Sequence, residues 1–318
     1  MQSTVLLRRR SRVLAIVAAL VILGLAGAVI WFGARSAAKA SLARTNLTPT
    51  PSGPAAAVPH FSHVFTIVLE NRSSATVLDS PQAPYLNQLA AKYGVADAYQ
   101  AVAHPSQPNY LALFSGSTQG VTDNARHDID APTIASQLEA AGRSWRVYAE
   151  NVPTGCFAGL TSDGGTDGTG TYARKHEPAI SFTSISGSPT SCANIKPMSA
   201  FDPAGADYSM IVPNLCNDAH DCPLSTADAW LKKVVPRILD SPAWKDGGVL
   251  FITFDEADGK EREANRVPTV VIAPSVVPGT RSSVPHSHYS LLRTVQDGLG
   301  LDCLALSCRA NTLGEFFR

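Results

Sequence analysis

The sequence predicts an α/β domain built on a mostly parallel sheet. The observations behind this are short β-branched apolar runs, helical stretches between them, and Gly or Pro at many of the junctions. His63–Leu69 (HVFTIVL) reads as a buried strand, being short, apolar and β-branched. Pro84 opens a helix over PYLNQLAAKY, and Gly94 closes it. Val95–Ala101 follows as a strand. The loop His104-Pro105-Ser106-Gln107 then leads into a helix from Pro108 to Phe114. A helix over Pro132–Ala141 stops at Gly142, with the strand Trp145–Ala149 after it. Residues 155–200 are rich in Gly, Ser and Thr and read as a long irregular excursion of the kind that borders active sites. Tyr208–Val212 is a strand, and Ser225–Val235 a helix that Pro236 should end or kink. Val249–Phe254 and Thr269–Ala273 are buried strands, and Ser290–Leu299 is the last helix. Alternation of this kind gives a sheet covered on both faces, with functional residues gathered at the carboxyl ends of its strands.

That domain is expected over residues 61–318, behind two other segments. Residues 1–35 hold Arg8, Arg9, Arg10 and Arg12, then an apolar run from Val13 to Phe32. About 20 residues at 1.5 Å each match a bilayer core of roughly 30 Å, so the run reads as a transmembrane signal-anchor. Its arginines stay cytoplasmic, which puts the domain outside the cytoplasmic membrane. Cleavage near Ala38-Lys39-Ala40, giving a secreted protein, is the alternative. Residues 36–60, dominated by Ala, Ser, Thr and Pro, read as a disordered linker. Six cysteines, all beyond residue 150, suit an oxidising compartment; proximity pairs Cys216 with Cys222 and Cys303 with Cys308, leaving Cys156 and Cys192. Lys+Arg and Asp+Glu both number 26, and no basic stripe follows the first residues, so nucleic acid is not an expected partner.

Two predicted strands run straight into acidic pairs: one ends in Glu70-Asn71 and the other in Asp255-Glu256. If the strands are parallel, both pairs reach one edge of the sheet, where their oxygens suit a divalent cation of unknown identity. Each pair alone is more simply a turn or helix cap. Together, uncompensated carboxylates at one edge would repel, which favours the ion. Ser106 precedes a helix whose first amide groups can meet an anion, the setting of a nucleophile or of an ordinary cap. Asn109 can donate to a phosphoryl oxygen. His104 is a ligand, a proton donor or a loop histidine. Asp218 and His220 lie within the Cys216–Cys222 loop, and His286 and His288 precede the last helix. No GxSxG elbow, Walker A loop or strand-linked GxGxxG occurs.

The blocks HVFTIVLEN, HPSQPNYLALFSG, PNLCNDAHDC, VLFITFDEADG and HSHYSLLRTVQ, in that order, resemble the bacterial and fungal phosphoesterase family. That family includes acid phosphatases and is related to non-specific phospholipases C. The resemblance implies an alkaline-phosphatase-like three-layer sandwich. It also implies metal ligation by Glu70, Asn71, Asp255 and Glu256, with Ser106 beside the ion as nucleophile. Asp218, His220 and His288 would line the phosphate site or complete the metal shell. The expected activity is phosphomonoester hydrolysis; the alternatives are a phospholipase C-like phosphodiesterase or a non-catalytic binding protein. After Glu-Asn, where relatives often place an aromatic residue, this chain has Ser73-Ser74-Ala75, which bears on substrate shape.

Overall fold

The computed structural model describes residues 57–153, 156–162, 171–259 and 262–318. The expected anchor and most of the expected linker lie outside the described residues. Among the described residues, no helix is long and apolar enough to cross a membrane.

The main strands are β1 (Val64–Leu69), β2 (Gly94–Ala96), β3 (Trp145–Ala149), β4 (Ile195–Pro197), β5 (Tyr208–Val212), β6 (Val249–Phe254), β7 (Thr269–Ile272) and β8 (Thr280–Ser282). They form one sheet in the order β8-β2-β7-β6-β1-β5-β3-β4. Only β7 runs against its neighbours β6 and β2. Every residue of β1 and of β6 is buried, as expected of central strands covered on both faces. The covering helices include α1 (Pro84–Lys92), α2 (Ser106–Ser115), α3 (Ile134–Ala140), α4 (Leu224–Leu239) and α5 (His288–Gly298). α2 packs on α5, and α1 on α4. Phe61 closes the core beside β1: a Cβ on Gly298 would come within 2.1 Å of its ring, so only glycine fits there.

The register between β1 and β6 places the two acidic pairs. Leu69 lies opposite Phe254, and the ladder continues as the Asp255 amide donates to the Leu69 carbonyl at 3.0 Å. Glu70-Asn71 and Asp255-Glu256 therefore emerge side by side at the carboxyl edge.

Several expectations are corrected. The strand over Val95–Ala101 is divided: β2 joins the main sheet, and Tyr99–Gln100 pairs with His286–Ser287 in a separate ribbon. α2 begins at Ser106, two residues earlier than expected, because Pro108 is tolerated in a first turn. α4 continues through Pro236 to Leu239. The proline sits on a partly exposed flank, while Val234, Val235 and Ile238 are buried around it and outweigh the lost hydrogen bond. The excursion over 155–200 is largely ordered where it is described. It holds a short hairpin (Thr161–Ser162 with Tyr172–Ala173), a 3-10 turn at Arg174–His176 and the edge strand β4. The buried Glu177 carboxylate organises it by accepting from the amides of Ala179 and Ile180 at 2.9 and 3.1 Å. The three disulfides are Cys156–Cys192, Cys216–Cys222 and Cys303–Cys308, the pairing expected from proximity.

α1 has no side-chain cap from its own N-cap residue, Ala83. The buried Asp228 of α4 supplies one, its two oxygens accepting from the amides of Tyr85 and Leu86 at 3.1 and 2.8 Å. Asp228→Ala should lower the unfolding free energy by about 1–3 kcal/mol. Urea denaturation checks this, and a loss below about 0.5 kcal/mol would remove Asp228 as the link between α1 and α4.

Candidate active site

Glu70 is the hub of the site. It is fully buried at the end of β1, and its amide donates to the Asp218 carbonyl at 2.8 Å. Its Oε2 accepts from Ser106 Oγ at 3.1 Å, and its Oε1 from the Tyr110 hydroxyl at 2.5 Å. Ser106 and Tyr110 lie one turn apart on α2, so a single helix brings both to the same carboxylate. Ser106 Oγ is also 3.4 Å from Glu256 Oε1. The hydroxyl thus lies between carboxylates from two neighbouring strands.

Asn71 occupies a left-handed conformation (φ 38°), which asparagine tolerates. Its amide donates to Asp255 Oδ1 at 3.1 Å. One terminal atom of its side chain lies 2.8 Å from Glu70 Oε2 and 2.9 and 3.2 Å from the Asp255 oxygens. Without an ion, the NH2 group fits there by donating to the carboxylates. With a cation among these groups, the amide oxygen fits instead.

His176 extends the site beyond the acidic pairs. Its Nε2 is 3.2 Å from Glu70 Oε1 and its Nδ1 is 3.3 Å from Asp218 Oδ2, while its ring stacks on Tyr110. The Cys216–Cys222 loop delivers Asp218 and His220, whose amide donates to Asp218 Oδ1 at 2.7 Å. Glu70, His176 and His220 present ligand atoms within 4.8 Å of one another, a possible metal-binding triad.

Burial, reinforced by neighbouring carboxylates, raises the pKa of Glu70, Asp218 and Asp255 well above their ordinary values. Burial pushes His176 well below its ordinary value, helped by the charge of Lys175. Repulsion between two carboxylates about 4 Å apart is on the order of 4 kcal/mol at an effective dielectric of 20. A few such pairs approach a whole domain's stability of about 5–15 kcal/mol. The carboxylates must therefore hold protons or share a cation. The groups present fit the second solution: carboxylate, amide and hydroxyl oxygens suit a hard or borderline divalent ion. Asp218 Oδ2 and His176 Nε2 are also buried without a hydrogen-bond partner.

Glu70, Asn71, Ser106, Asp255 and Glu256 lie together, with Asp218 and His220 across His176 from them. His104 contacts Glu256 through Nδ1 and the Arg262 carbonyl through Nε2 at 2.8 Å. With His220, it stands where the site meets solvent, their side chains being 24% and 29% exposed.

Two residues do different work from that expected. Asn109 is not free to meet a phosphoryl oxygen. Its Oδ1 accepts from the amides of Val102 and Ala103, both at 3.0 Å, and its Nδ2 donates to Ala103 and Pro105 carbonyls. His288 is fully buried beneath the site. Its Nε2 donates to the Asp255 carbonyl at 2.7 Å and its Nδ1 lies 3.1 Å from the Tyr99 hydroxyl. Burial lowers its pKa to about 4, so the ring is neutral and supports the end of β6. The start of α2 is also a poorer anion site than expected, since the Gln107 amide donates to Asn124 Oδ1 at 3.0 Å and Pro108 has no N–H. His286 pairs with Glu315, away from the carboxylates, at 2.6 Å.

Sequence reasoning passed over His176, Lys175 and Tyr110. The available signal was Arg174-Lys175-His176-Glu177, four titratable residues in a row within a stretch otherwise poor in charge.

Residues 70–302 match the phosphoesterase family. The chain is 36% identical over 258 residues to the phosphatidylinositol-3-phosphatase of Mycobacterium tuberculosis, covering 78% of this chain and 80% of that protein. It is 28% identical over 264 residues to an acid phosphatase of Aspergillus fumigatus, covering 80% of this chain and 58% of that longer protein. Among solved structures, it is similar to a protein in the alkaline phosphatase superfamily from Vibrio parahaemolyticus. That match has a TM-score of 0.54 at 11% identity and covers 83% of this chain and 72% of the other. The lipoteichoic acid synthase of Listeria monocytogenes has the same TM-score at 10% identity, over 80% and 78% of the two chains. These two structures speak for the fold alone. The chain belongs to the phosphoesterase family and is a phosphoric ester hydrolase.

Proposed function

We propose that the protein is a metal-dependent phosphomonoesterase that uses Ser106 as its nucleophile and works outside the cytoplasmic membrane, held there by residues 1–35. The observation that carries this reading is the position of Ser106 Oγ, 3.1 Å from Glu70 Oε2 and 3.4 Å from Glu256 Oε1 inside a buried carboxylate cluster. A divalent ion held by Glu70, Asn71, Asp255 and Glu256 would neutralise phosphoryl oxygens and favour deprotonation of the serine hydroxyl.

Ser106 Oγ gives its proton to one of the two flanking carboxylates and forms a bond to phosphorus. The bond from phosphorus to the ester oxygen breaks, and His104, at the solvent side, turns its Nε2 proton from the Arg262 carbonyl to that oxygen. Water then cleaves the Oγ–phosphorus bond, releasing inorganic phosphate and restoring the serine hydroxyl. Tyr110, with the His176 ring stacked on it, holds Glu70 in place, and His288 supports Asp255 through its backbone.

A membrane phosphoinositide monoester is the second reading. The relative named phosphatidylinositol-3-phosphatase favours it, and the predicted anchor would keep the domain near headgroups. Phosphate release from phosphatidylinositol 3-phosphate vesicles, compared with soluble aryl and alkyl phosphates, separates the two readings.

With an aryl phosphate and the full chain, Ser106→Ala and Asp255→Asn should each lower kcat by roughly three orders of magnitude. Chelation should abolish turnover until a divalent ion is returned. Activity indifferent to chelator and to Ser106→Ala would overturn the mechanism.

A pH dependence of ion binding also follows. Raised folded-state pKa values mean that, without an ion, the fold keeps protons that the unfolded chain has lost. The carboxyls of Glu70, Asp218 and Asp255 therefore cost stability as pH rises above their ordinary values of 4.5, 3.8 and 3.8. His176 acts oppositely, costing stability as pH falls below 6.5. An ion needs the carboxylates ionised and the imidazole neutral, so its stabilising effect should grow with pH. The rise in Tm on adding a divalent ion should be several degrees larger at pH 7.5 than at pH 5. Equal rises would argue against these carboxylates as ligands.

His104→Ala should slow hydrolysis of alkyl phosphates at least tenfold more than that of nitrophenyl phosphate, whose leaving group needs no proton. Equal slowing would remove His104 as the acid.

A further inference from the structure

The spacing of Glu70, His176 and His220 suits an ion, yet His220 has no lone pair to give. Its Nδ1 lies 2.6 Å from Asp221 Oδ1, and its Nε2 lies 3.1 Å from Lys175 Nζ. A carboxylate only accepts, so Nδ1 carries the ring proton and Nε2 carries the lone pair. The Lys175 ammonium, which has donors and no acceptor, takes that lone pair. Its charge also acts on both Glu70 and Asp218, lowering the pKa of each against the effect of burial. Lys175 thus lies among the three groups as a cation already built into the chain.

The charge balance of the pocket gives this cation a task. Glu70, Asp218, Asp255 and Glu256 crowd the edge where an anionic phosphate monoester must arrive, and one divalent ion offsets only part of their charge. The start of α2 helps little, because the Gln107 amide is taken by Asn124 and Pro108 has none to offer. We infer that Lys175 serves as the second cation of this centre, filling the Glu70–His176–His220 triad in place of a second metal ion and binding the phosphoryl oxygens on that side. The inference rests on reading the pocket as a phosphoesterase site with one divalent ion beside Ser106. What it adds is the identity of the second charge and the residue that orients it, His220.

The test uses the full chain, with zinc and manganese content measured after equilibration in excess ion, and inorganic phosphate binding measured by calorimetry on single-ion protein. Wild type should hold one ion per chain. Lys175→Ala, which frees Nε2 of His220, should hold two and bind phosphate at least tenfold more weakly when only one ion is loaded. Lys175→Arg should keep one ion and most of the phosphate affinity. The double variant Lys175→Ala with His220→Ala should return to one ion without regaining affinity. Two ions in the wild type, or phosphate affinity within twofold of wild type in Lys175→Ala, overturns the inference while leaving the phosphoesterase reading intact. A wild type that holds no ion and is indifferent to Asp255→Asn overturns both.

Discussion

Two adjacent parallel strands, β1 and β6, stop level with one another, and each passes directly into acidic residues. Because Leu69 and Phe254 are partners in the ladder, the next residues on both strands, Glu70 and Asp255, cannot be far apart. Both are buried, so water does not screen them. Repulsion between like charges at this edge is the constraint to which the surrounding structure answers. Tyr110 donates to Glu70, the backbone of Asn71 donates to Asp255, and the neutral ring of His176 lies between Glu70 and Asp218. The two hydrogen bonds ease part of the repulsion, and a shared cation would ease most of it.

The elements that answer this constraint are tied to the sheet by polar staples. Glu150, just beyond β3, accepts from the Asn214 amide and the Asn217 side chain at 3.0 and 2.9 Å, and from Trp230 Nε1 at 3.3 Å. Asn214 in turn accepts from the amides of Cys216 and Asn217. With the Cys216–Cys222 bond, these contacts make a rigid cradle for Asp218 and His220. On the other flank, Asn109 pins the 102–105 segment against the first turn of α2, which sets where Ser106 points. Side chains outside the carboxylate cluster thereby decide where its groups meet.

How much of this could be read from the residues depended on whether the deciding contact was local. The runs ending in Glu70-Asn71 and Asp255-Glu256 were legible, because a buried strand and its polar end are adjacent in the chain. The same holds for the Cys216–Cys222 pair. The continuation of α4 past Pro236 was not legible, because the local cost of a proline is overridden by the packing of Val235 and Ile238. His176 escaped notice because its meaning comes from Glu70 and Asp218, which belong to distant parts of the chain. His288 and Asn109 were recognised as important residue types, but their partners, backbone groups and the distant Tyr99 hydroxyl, are not revealed by sequence pattern. Lys175 is the plainest case: the run Arg174-Lys175-His176-Glu177 marks a charged turn, but only the fold sets the lysine against His220.

The contact between Phe61 and Gly298 has a consequence for handling the protein. The Phe61 amide donates to the Gly298 carbonyl at 2.8 Å, and Val58 before it packs on the core, so the chain is held beside the amino end of β1. The carboxylates lie at the other end of that strand, six residues and about 20 Å away. A bead, tag or surface coupled at His60 would thus sit at the end of β1 opposite the carboxylates.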